Sequence, residues 1–363
     1  MNVKFYLSET HACGHIRGEI PARAINALQN GARVDCKTDI LLSDYFGTDV
    51  MVFQRQHHPD IYAKMQAAKS RGIKTVYEVD DDMLNMPEEF EKPYDFYRKP
   101  EVREVMLKFM RDCDALTVST VELAESIRKM TPRPIFVVEN AIDLERWRAA
   151  QIERECRLAN RTTDDGRQTP DQRSGRPGTV TIGWMASGSH MIDMPLIEDA
   201  LLGVMRDHAE VRLHLIGVLV REDIKHPGFA EFKDRITVDP WIEINALPQV
   251  MADIDIGLAP LMDNPFNRGK SGLKWMQYAA LGIPGIYSDM PCYRRVVKPG
   301  VDGYLVPAGA ITDWRKHLEE LVTDAELRQR MGAQALRNVQ AWDISVRAED
   351  WVKAWRQIMT IWM

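Results

Sequence analysis

Short apolar runs alternate along the chain with longer segments whose apolar residues recur at helical spacing. The runs predict strands at residues 3–7, 33–36, 50–53, 75–79, 115–119 and 135–138, and in the second half at 179–184, 212–216, 236–238 and 254–258. Strands that are covered on both faces have continuous apolar runs, and parallel strands need crossover segments such as helices between them. The pattern therefore predicts an α/β protein built on parallel sheets.

A change in composition divides the chain. Residues 151–178 are rich in arginine, aspartate, threonine and glutamine and contain few apolar side chains, so they cannot bury enough surface to fold alone. We predict one domain at residues 1–150, a polar linker or mobile loop at 151–178, and a second domain at 179–344. The final segment, residues 345–363, places four large apolar residues on one helical face: Trp351, Trp355, Ile358 and Trp362.

The segment around residue 270 carries the clearest chemical signal. After the strand that ends near residue 258, the pattern predicts a helix that begins at a serine N-cap, Ser271, and ends at residue 281. Lys270, Lys274 and Gln277 fall on one face of this helix. A helix N-terminus that is flanked by lysines, a serine and a glycine is suited to binding an anion, and we predict phosphate.

Three adjacent carboxylates, Asp80, Asp81 and Asp82, follow the strand at 75–79. Ligands of open α/β sheets bind at the carboxyl ends of the strands, so these side chains are candidates for a functional site. Adjacent carboxylates repel one another, and a divalent cation, a nearby arginine such as Arg55, or water must compensate them. An aspartate-rich turn without a function is the alternative.

The first strand leads into a small polar loop with a glycine, Gly14, but without a G-x-G-x-x-G motif. His11, Cys13 and His15 alternate in this loop. Alternate residues of an extended loop do not converge easily on one metal, and no fourth ligand is evident, so we predict no metal site.

Composition and charge limit the function classes. The chain has 363 residues, a net charge of −6 and five scattered cysteines without a CxxC motif. These values predict an ordinary globular protein with reduced thiols, and they do not favour a general nucleic-acid binder, although a local basic cleft stays open. The sequence shows no secretory leader and no apolar stretch of membrane-spanning length, so we expect a cytoplasmic protein.

The residues from Lys270 to Pro284 resemble the donor-binding signature of GT-B glycosyltransferases, most closely the retaining family 4 and its O-antigen-biosynthesis-type relatives. Residues 76–82 and 140–147 resemble further segments of these enzymes, and the likeness covers nearly the whole chain outside 151–178. It implies two Rossmann-like domains that face each other across a cleft. It also implies that the helix at 345–363 packs back on the first domain.

The resemblance also implies roles for individual residues. The donor would be bound by Gly183, Ser187, Gly188, Asn267, Lys270, Ser271, Gly272, Lys274 and Gln277. Gly14, Arg17, Arg55 and Asp81 would lie on the acceptor side or in the cleft, and Lys270 with Asp80, Asp81 and Asp82 would be catalytic. The family usually has two glutamates, and this chain has Gln277 at the ribose-binding position and Gly269 at the other. The usual basic residue after the loop at 185–190 is absent, which shifts the phosphate charge onto Lys270 and Lys274.

The expected function is transfer of a sugar from a UDP- or GDP-sugar to a hydroxyl, with retention and without a required cofactor. A divalent metal is possible but not favoured. The acceptor stays open among a saccharide, a lipid-linked saccharide and, for a phage-type enzyme, a modified DNA base. Alternatives are a catalytically lapsed module that binds a glycan or a partner protein, and an epimerase or phosphorylase on the same fold. Nucleotide-sugar hydrolysis without an acceptor separates an active enzyme from a lapsed one.

Overall fold

The computed structural model describes residues 1–10, 12–163, 178–186, 190, 192–217 and 226–361. Its strands lie close to the predicted positions. They are β1 (Asn2–Tyr6), β2 (Arg33–Lys37), β3 (Val50–Gln54), β4 (Lys74–Val79), β5 (Ala115–Val118), β6 (Ile135–Val137), β7 (Val180–Met185), β8 (Val211–Ile216), β9 (Ile236–Asp239), β10 (Ile256–Ala259), β11 (Gly285–Ser288) and β12 (Tyr304–Val306).

Helices connect the strands. They are α1 (Ala12–Gly14), α2 (Ile20–Ala27), α3 (Pro59–Lys69), α4 (Lys92–Tyr97), α5 (Pro100–Asp112), α6 (Val121–Arg128), α7 (Leu144–Thr163), α8 (Glu198–Asp207), α9 (Leu247–Met251), α10 (Pro265–Arg268), α11 (Leu273–Ala280), α12 (Pro291–Arg294), α13 (Ile311–Thr323), α14 (Ala325–Asn338) and α15 (Ile344–Met359). A turn of π-helix, His15–Glu19, joins α1 to α2.

The strands form two parallel six-stranded sheets, so the predicted α/β class is confirmed. The first sheet has the order β2-β1-β3-β4-β5-β6 and the second β12-β11-β10-β7-β8-β9. In each sheet the chain moves outward in one direction and then returns to the other side of its starting strand. The order therefore reverses between β1 and β3 in the first sheet and between β7 and β10 in the second. Such switch points are where open α/β sheets bind ligands.

The chain divides into two compact units. The first consists of residues 1–143, 264–271 and 341–363, and the second of residues 144–263 and 272–340. The short segment at 264–271 therefore belongs with the first unit, whereas the sequence pattern placed it in the second domain. The first boundary also lies at residue 143, because α7 belongs to the second unit.

The C-terminal helix α15 is part of the core of the first unit, as the resemblance implied. Trp351, Trp355 and Ile358 are at most 2% exposed and pack with apolar residues of β1 such as Phe5. The rings of Phe5 and Trp351 meet edge to face with centroids 5.8 Å apart. Trp362, the fourth residue of the predicted stripe, lies outside the described residues.

The predicted linker at 151–178 is wrong over its first half, because α7 continues to Thr163. Arg154 is only 6% exposed, and its Nη1 donates a hydrogen bond of 2.8 Å to the carbonyl oxygen of Ala252. Arg157 forms an ion pair with Asp253. Arginine stems cover apolar surface while their heads find polar partners, so a polar composition concealed a packed helix. Residues 164–177 lie outside the described part of the chain.

Candidate functional site

The start of α11 lies just after the switch point of the second sheet, since the loop at 260–272 follows β10. The N-cap of α11 is Gly272, and no side chain caps it. The predicted N-cap, Ser271, is therefore wrong by one residue. Its hydroxyl instead accepts a hydrogen bond of 2.7 Å from Nδ2 of Asn140, within the first unit. The first N–H groups of α11 consequently lack a side-chain cap, which is the local arrangement that favours an anion.

Two predicted donor-binding residues lie on α11 itself. Lys274 is on its first turn and is half-buried. Gln277, one turn further, is 7% exposed, and its Oε1 has no hydrogen-bond partner among the described residues. Nearly all buried polar atoms in proteins have a partner, so this acceptor is a candidate for binding a ligand hydroxyl. The amide of Gln277 can take that role without the charge of a glutamate.

Tyr278 holds the strands on both sides of this switch point together. Its hydroxyl lies 3.2 Å from the carbonyl oxygen of Gly183 and 3.1 Å from that of Leu258, and it accepts a hydrogen bond of 3.3 Å from Met185 N. A Cβ on Gly257 would lie 2.6 Å from the tyrosine ring. The ring therefore requires a glycine in β10, and the helix that carries Lys274 and Gln277 is fixed to the sheet.

Other predicted donor residues lie elsewhere. Gly183 is inside β7, where a Cβ would lie 2.3 Å from Cδ1 of Ile254, so its glycine serves packing of the sheet. Asn267 is 0% exposed in α10, with its backbone N–H bonded to Asn264 Oδ1 at 2.8 Å. Both residues are buried in the described structure, and their roles toward a donor stay predictions. Ser187 and Gly188 lie outside the described residues.

The predicted catalytic lysine lies in the first unit beside one of the predicted aspartates. Lys270 Nζ is 3.8 Å from Asp81 Oδ1 and 4.6 Å from the ring centroid of Phe266. The side chains of Lys270 and Asp81 are 15% and 24% exposed, so both can reach a ligand. The structure thus brings Lys270 and Asp81 together, although they are far apart in the sequence.

The remaining two aspartates have different surroundings. Asp80 is 8% exposed, and its Oδ1 lies 3.6 Å from Arg55 Nε. Asp82 is 2% exposed and accepts hydrogen bonds from Ser126 Oγ at 2.6 Å and Asn85 Nδ2 at 2.9 Å. Those contacts bind Asp82 to the following turn and to α6. Asp81 is therefore the member of the triplet that the structure leaves most accessible.

The switch point of the first sheet contains Gly14 and Arg55. A Cβ on Gly14 would lie 1.8 Å from the carbonyl oxygen of Glu9, so only glycine lets the loop fold back here. Arg55 has a φ of 49° in the left-handed region, and its backbone N–H donates to the carbonyl oxygen of Glu78 at 2.9 Å. Gln54, just before it, is 0% exposed, and neither atom of its amide has a hydrogen-bond partner in the described structure. The sequence indicated a possible functional role for Gln54 only through its position at the end of a strand.

Arg17 is buried instead of facing a ligand. It is 1% exposed, and its Nε donates to Oε1 of Glu78, which is 0% exposed, at 2.7 Å. Its Nη1 donates to Val138 O at 2.6 Å and to Asn140 Oδ1 at 2.9 Å, and its guanidinium lies 4.5 Å from the ring centroid of Trp351. Burial raises the pKa of Glu78, although Arg17 acts in the opposite direction. Arg17 therefore positions the side chain of Asn140, which in turn donates to Ser271. Its own side chain is too buried to contact an acceptor.

A metal ion fits this edge of the first sheet poorly. Ligand atoms of Cys13, Asp80 and Asp81 lie within 4.8 Å of one another. Arg55 and Lys270, however, already lie within 4 Å of the two carboxylates. Burial, followed by the charge of Asp80, raises the pKa of the Cys13 thiol well above its usual value, whereas thiolate is the form that binds metals. Basic side chains therefore lie beside both carboxylates, and an arginine near Asp80 was one of the candidates that the sequence left open.

A histidine–aspartate pair at the end of β7 was not among the predicted site residues. His190 Nδ1 lies 2.8 Å from Asp193 Oδ2, and the two residues are 8% and 0% exposed. The helical spacing of three residues was visible in the sequence, but an aspartate of the β7–α8 connection gave no sign that it would be fully buried.

Residues 180–324 match the family described as Glycosyl transferases group 1. The chain is 27% identical over 168 residues, 46% of its length, to a phosphatidyl-myo-inositol mannosyltransferase of Mycobacterium leprae. It is 23% identical over 272 residues, 72% of its length, to a Bacillus subtilis protein whose name assigns it to teichuronic acid biosynthesis, the glycosyltransferase TuaH. These matches span 43% and 60% of the two relatives, less than two thirds of either.

The solved structure of HepE from Anabaena in complex with UDP-glucose matches over 98% of this chain and 100% of that protein, with a TM-score of 0.67 and 13% sequence identity. Identity at this level shows the fold alone, and the fold is that of the GT-B glycosyltransferases. Among the described residues, every helix is too short or too polar to cross a membrane.

Proposed function

We propose that this chain, which carries a glycosyl transferases group 1 domain on a GT-B fold, transfers a sugar from a nucleoside diphosphate sugar to a hydroxyl group. The donor would be a UDP- or GDP-sugar, and the product would retain the anomeric configuration, as the resemblance to family 4 implies. UDP-glucose in the HepE structure supports this donor class.

The observation that carries the proposal is the start of α11. Gly272 leaves the first N–H groups without a side-chain cap, and Lys274 lies on the first turn of the helix. One turn later, the buried Oε1 of Gln277 has no partner in the described structure. A diphosphate would accept hydrogen bonds from the uncapped N–H groups, and a ribose hydroxyl would donate to Oε1 of Gln277. One nucleoside diphosphate therefore accounts for both.

Lys270 would neutralise the charge that develops on the leaving diphosphate. Stabilisation of developing charge by a positioned cation is often the largest catalytic contribution in an enzyme. Without a ligand, Lys270 lies 3.8 Å from Asp81, so a donor phosphate would compete with that carboxylate for the lysine. Lys274 would add a second positive charge on the first turn of the helix.

The acceptor would meet the carboxyl edge of the first sheet, where Asp81 is the accessible carboxylate. A carboxylate there binds a hydroxyl by accepting its hydrogen bond, and in an inverting reaction it would also serve as the base. We propose a saccharide hydroxyl as the acceptor and transfer without a metal ion, because Arg55 and Lys270 already balance the aspartates. The names of the two sequence relatives, which refer to phosphatidyl-myo-inositol and to teichuronic acid biosynthesis, support an acceptor that carries hydroxyl groups.

Binding of nucleotides tests the proposal first. Thermal stability would be measured with UDP, GDP and a panel of their sugars, and the nucleotides that bind would be titrated by calorimetry. We expect one nucleoside diphosphate to stabilise the protein and its sugar to be hydrolysed slowly without an acceptor. Binding without any hydrolysis or transfer would favour the lapsed module, and failure to bind any of these ligands would refute a nucleotide-sugar enzyme.

A further inference from the structure

Two side chains fasten the chain on either side of Lys270, within the first unit. The hydroxyl of Thr120 donates a hydrogen bond of 2.8 Å to the carbonyl oxygen of Gly269, the residue before the lysine. Nδ2 of Asn140 donates a hydrogen bond of 2.7 Å to the hydroxyl of Ser271, the residue after it. These contacts span 149 and 131 residues of sequence, so only the folded unit brings them together. The backbone of Lys270 is therefore held from both sides.

Thr120 and Asn140 are themselves fixed in orientation. Thr120 is 3% exposed and is the N-cap of α6, where its hydroxyl oxygen accepts a hydrogen bond of 3.1 Å from Leu123 N. An N-cap uses only the oxygen of a hydroxyl, so its proton remains for a second bond, which here is the one donated to Gly269. Asn140 is 8% exposed, and its Oδ1 accepts a hydrogen bond of 2.9 Å from Nη1 of Arg17. Each side chain thus makes one hydrogen bond to its own surroundings and donates another to the segment that carries the lysine.

The side chain of Lys270 is held as well. Its Nζ lies 4.6 Å from the ring centroid of Phe266, and the rings of Phe266 and Phe90 meet edge to face with centroids 5.2 Å apart. The same Nζ lies 3.8 Å from Asp81 Oδ1. Ordering a free lysine side chain costs conformational entropy, so a lysine that is ordered before the ligand arrives stabilises a charge with less loss. The contacts of its backbone neighbours and of its side chain therefore preorganise the ammonium group.

We propose that Thr120 and Asn140 are positioning residues for Lys270. They would act on the reaction only through the lysine, whose ammonium group must stay aligned with the leaving diphosphate while the glycosidic bond breaks. A catalytic group that is displaced by about 1 Å loses much of its effect, so loss of either hydrogen bond should reduce turnover. The inference rests on the proposed function and deepens it, since it adds two residues that act on the reaction without contacting the donor.

The test removes each hydrogen bond and measures turnover. The rate would be followed as release of nucleoside diphosphate from the UDP- or GDP-sugar that the wild-type protein hydrolyses fastest. Thr120→Val keeps the shape of the side chain and removes its hydroxyl, Thr120→Ser retains the hydroxyl, and Asn140→Ala removes the amide. Thr131→Val is the matched control, because Thr131 is 5% exposed in the same unit, accepts a hydrogen bond of 3.1 Å from Arg133 N and donates to Met110 O.

We expect Thr120→Val and Asn140→Ala each to lower kcat about threefold to tenfold, the range for one lost neutral hydrogen bond. Thr120→Ser should retain the wild-type kcat, and the Thr131→Val control should match the wild type. Since both residues act through Lys270, neither substitution should lower kcat further in the Lys270→Ala protein. A general loss of stability would instead reduce kcat in both backgrounds. Circular dichroism would establish that each variant is folded.

Wild-type kcat in folded Thr120→Val and Asn140→Ala, beside an impaired Lys270→Ala, would overturn the inference and leave the proposed function standing. A further loss in the Lys270→Ala background, or an equal loss in Thr131→Val, would also overturn it, because either result shows a purely structural effect. If Asn140→Ala does not fold, since Arg17 loses an acceptor, the comparison of Thr120→Val with Thr120→Ser decides the question. Wild-type kcat in folded Lys270→Ala, or a wild-type protein that hydrolyses none of these sugars, would overturn the proposed function, and the inference with it.

Discussion

Replacing Arg17 by methionine should strongly destabilise the first unit. Arg17 and Glu78 are 1% and 0% exposed and 2.7 Å apart, so methionine would leave a buried carboxylate without its countercharge. Val138 O and Asn140 Oδ1 would lose their donors as well. Breaking one side of a buried ion pair typically reduces the free energy of unfolding by about 3–5 kcal/mol, and we expect a loss in that range.

The loss should also depend on pH. The pKa of Glu78 is already above its usual value because burial outweighs the effect of Arg17, and removing Arg17 would raise it further. A carboxyl with a raised folded pKa stabilises the fold fully below its unfolded pKa, and that stability is lost as pH rises through the folded pKa. Arg17→Met should therefore be less damaging near pH 4 than at pH 8.

Urea unfolding followed by circular dichroism would measure the change in free energy, and hydrogen exchange of β4 and β5 would assign it to the first unit. Arg330→Met is a suitable control, because the ion pair between Arg330 and Glu326 is solvent-exposed. The double variant Arg17→Met/Glu78→Leu should recover part of the loss by removing the stranded charge. A cost below about 1 kcal/mol for Arg17→Met, or a cost that is independent of pH, would refute this reasoning.

Three further predictions follow from single contacts. Asp44→Asn should reduce the free energy of unfolding by about 1–3 kcal/mol at pH 7. Burial acts to raise the pKa of Asp44, but the hydrogen bond from Lys37 lowers it below its usual value. The effect should therefore disappear as pH falls through that lowered pKa, and equal stability at pH 7 would contradict it. Gly257→Ala should lower the Tm of the second unit, since its Cβ would lie 2.6 Å from the buried ring of Tyr278, and an unchanged Tm would show that the ring can move. Asp81→Asn should depress transfer to the acceptor far more than nucleotide binding, and EDTA should leave transfer intact; loss of activity with EDTA would show that a metal ion is needed.

The local pattern predicted most of the fold because each buried strand is a short apolar run. It missed β11, which is only four residues long and directly follows Pro284 at the end of a helical pattern. It also missed most of α7, whose charged composition resembles a linker although Arg154 is buried. Apolar periodicity detects elements that bury apolar faces, and it underestimates elements that pack through arginine stems.

The site was less predictable because its contacts join distant parts of the chain. Serine is a common N-cap residue, but the hydroxyl of Ser271 accepts a hydrogen bond from Asn140, which is 131 residues away. Arg17 lies in a polar loop that suggested exposure, and its buried partner is 61 residues away. Neither pairing has a local signature. Lys274 and Gln277 were predictable as neighbours because a single helix, α11, carries both.

The central claim is that Lys270 and the start of α11 bind the diphosphate of the donor. The rate of sugar transfer by Lys270→Ala tests this claim most directly. Lys270 lies outside the apolar cores of both units, so the variant should fold, and circular dichroism would confirm it. Its kcat, measured as release of nucleoside diphosphate from the donor, should fall by about two to three orders of magnitude. Lys298→Ala, which removes an exposed lysine bonded to Asn338, should leave kcat unchanged. A folded Lys270→Ala protein with wild-type kcat would contradict the account.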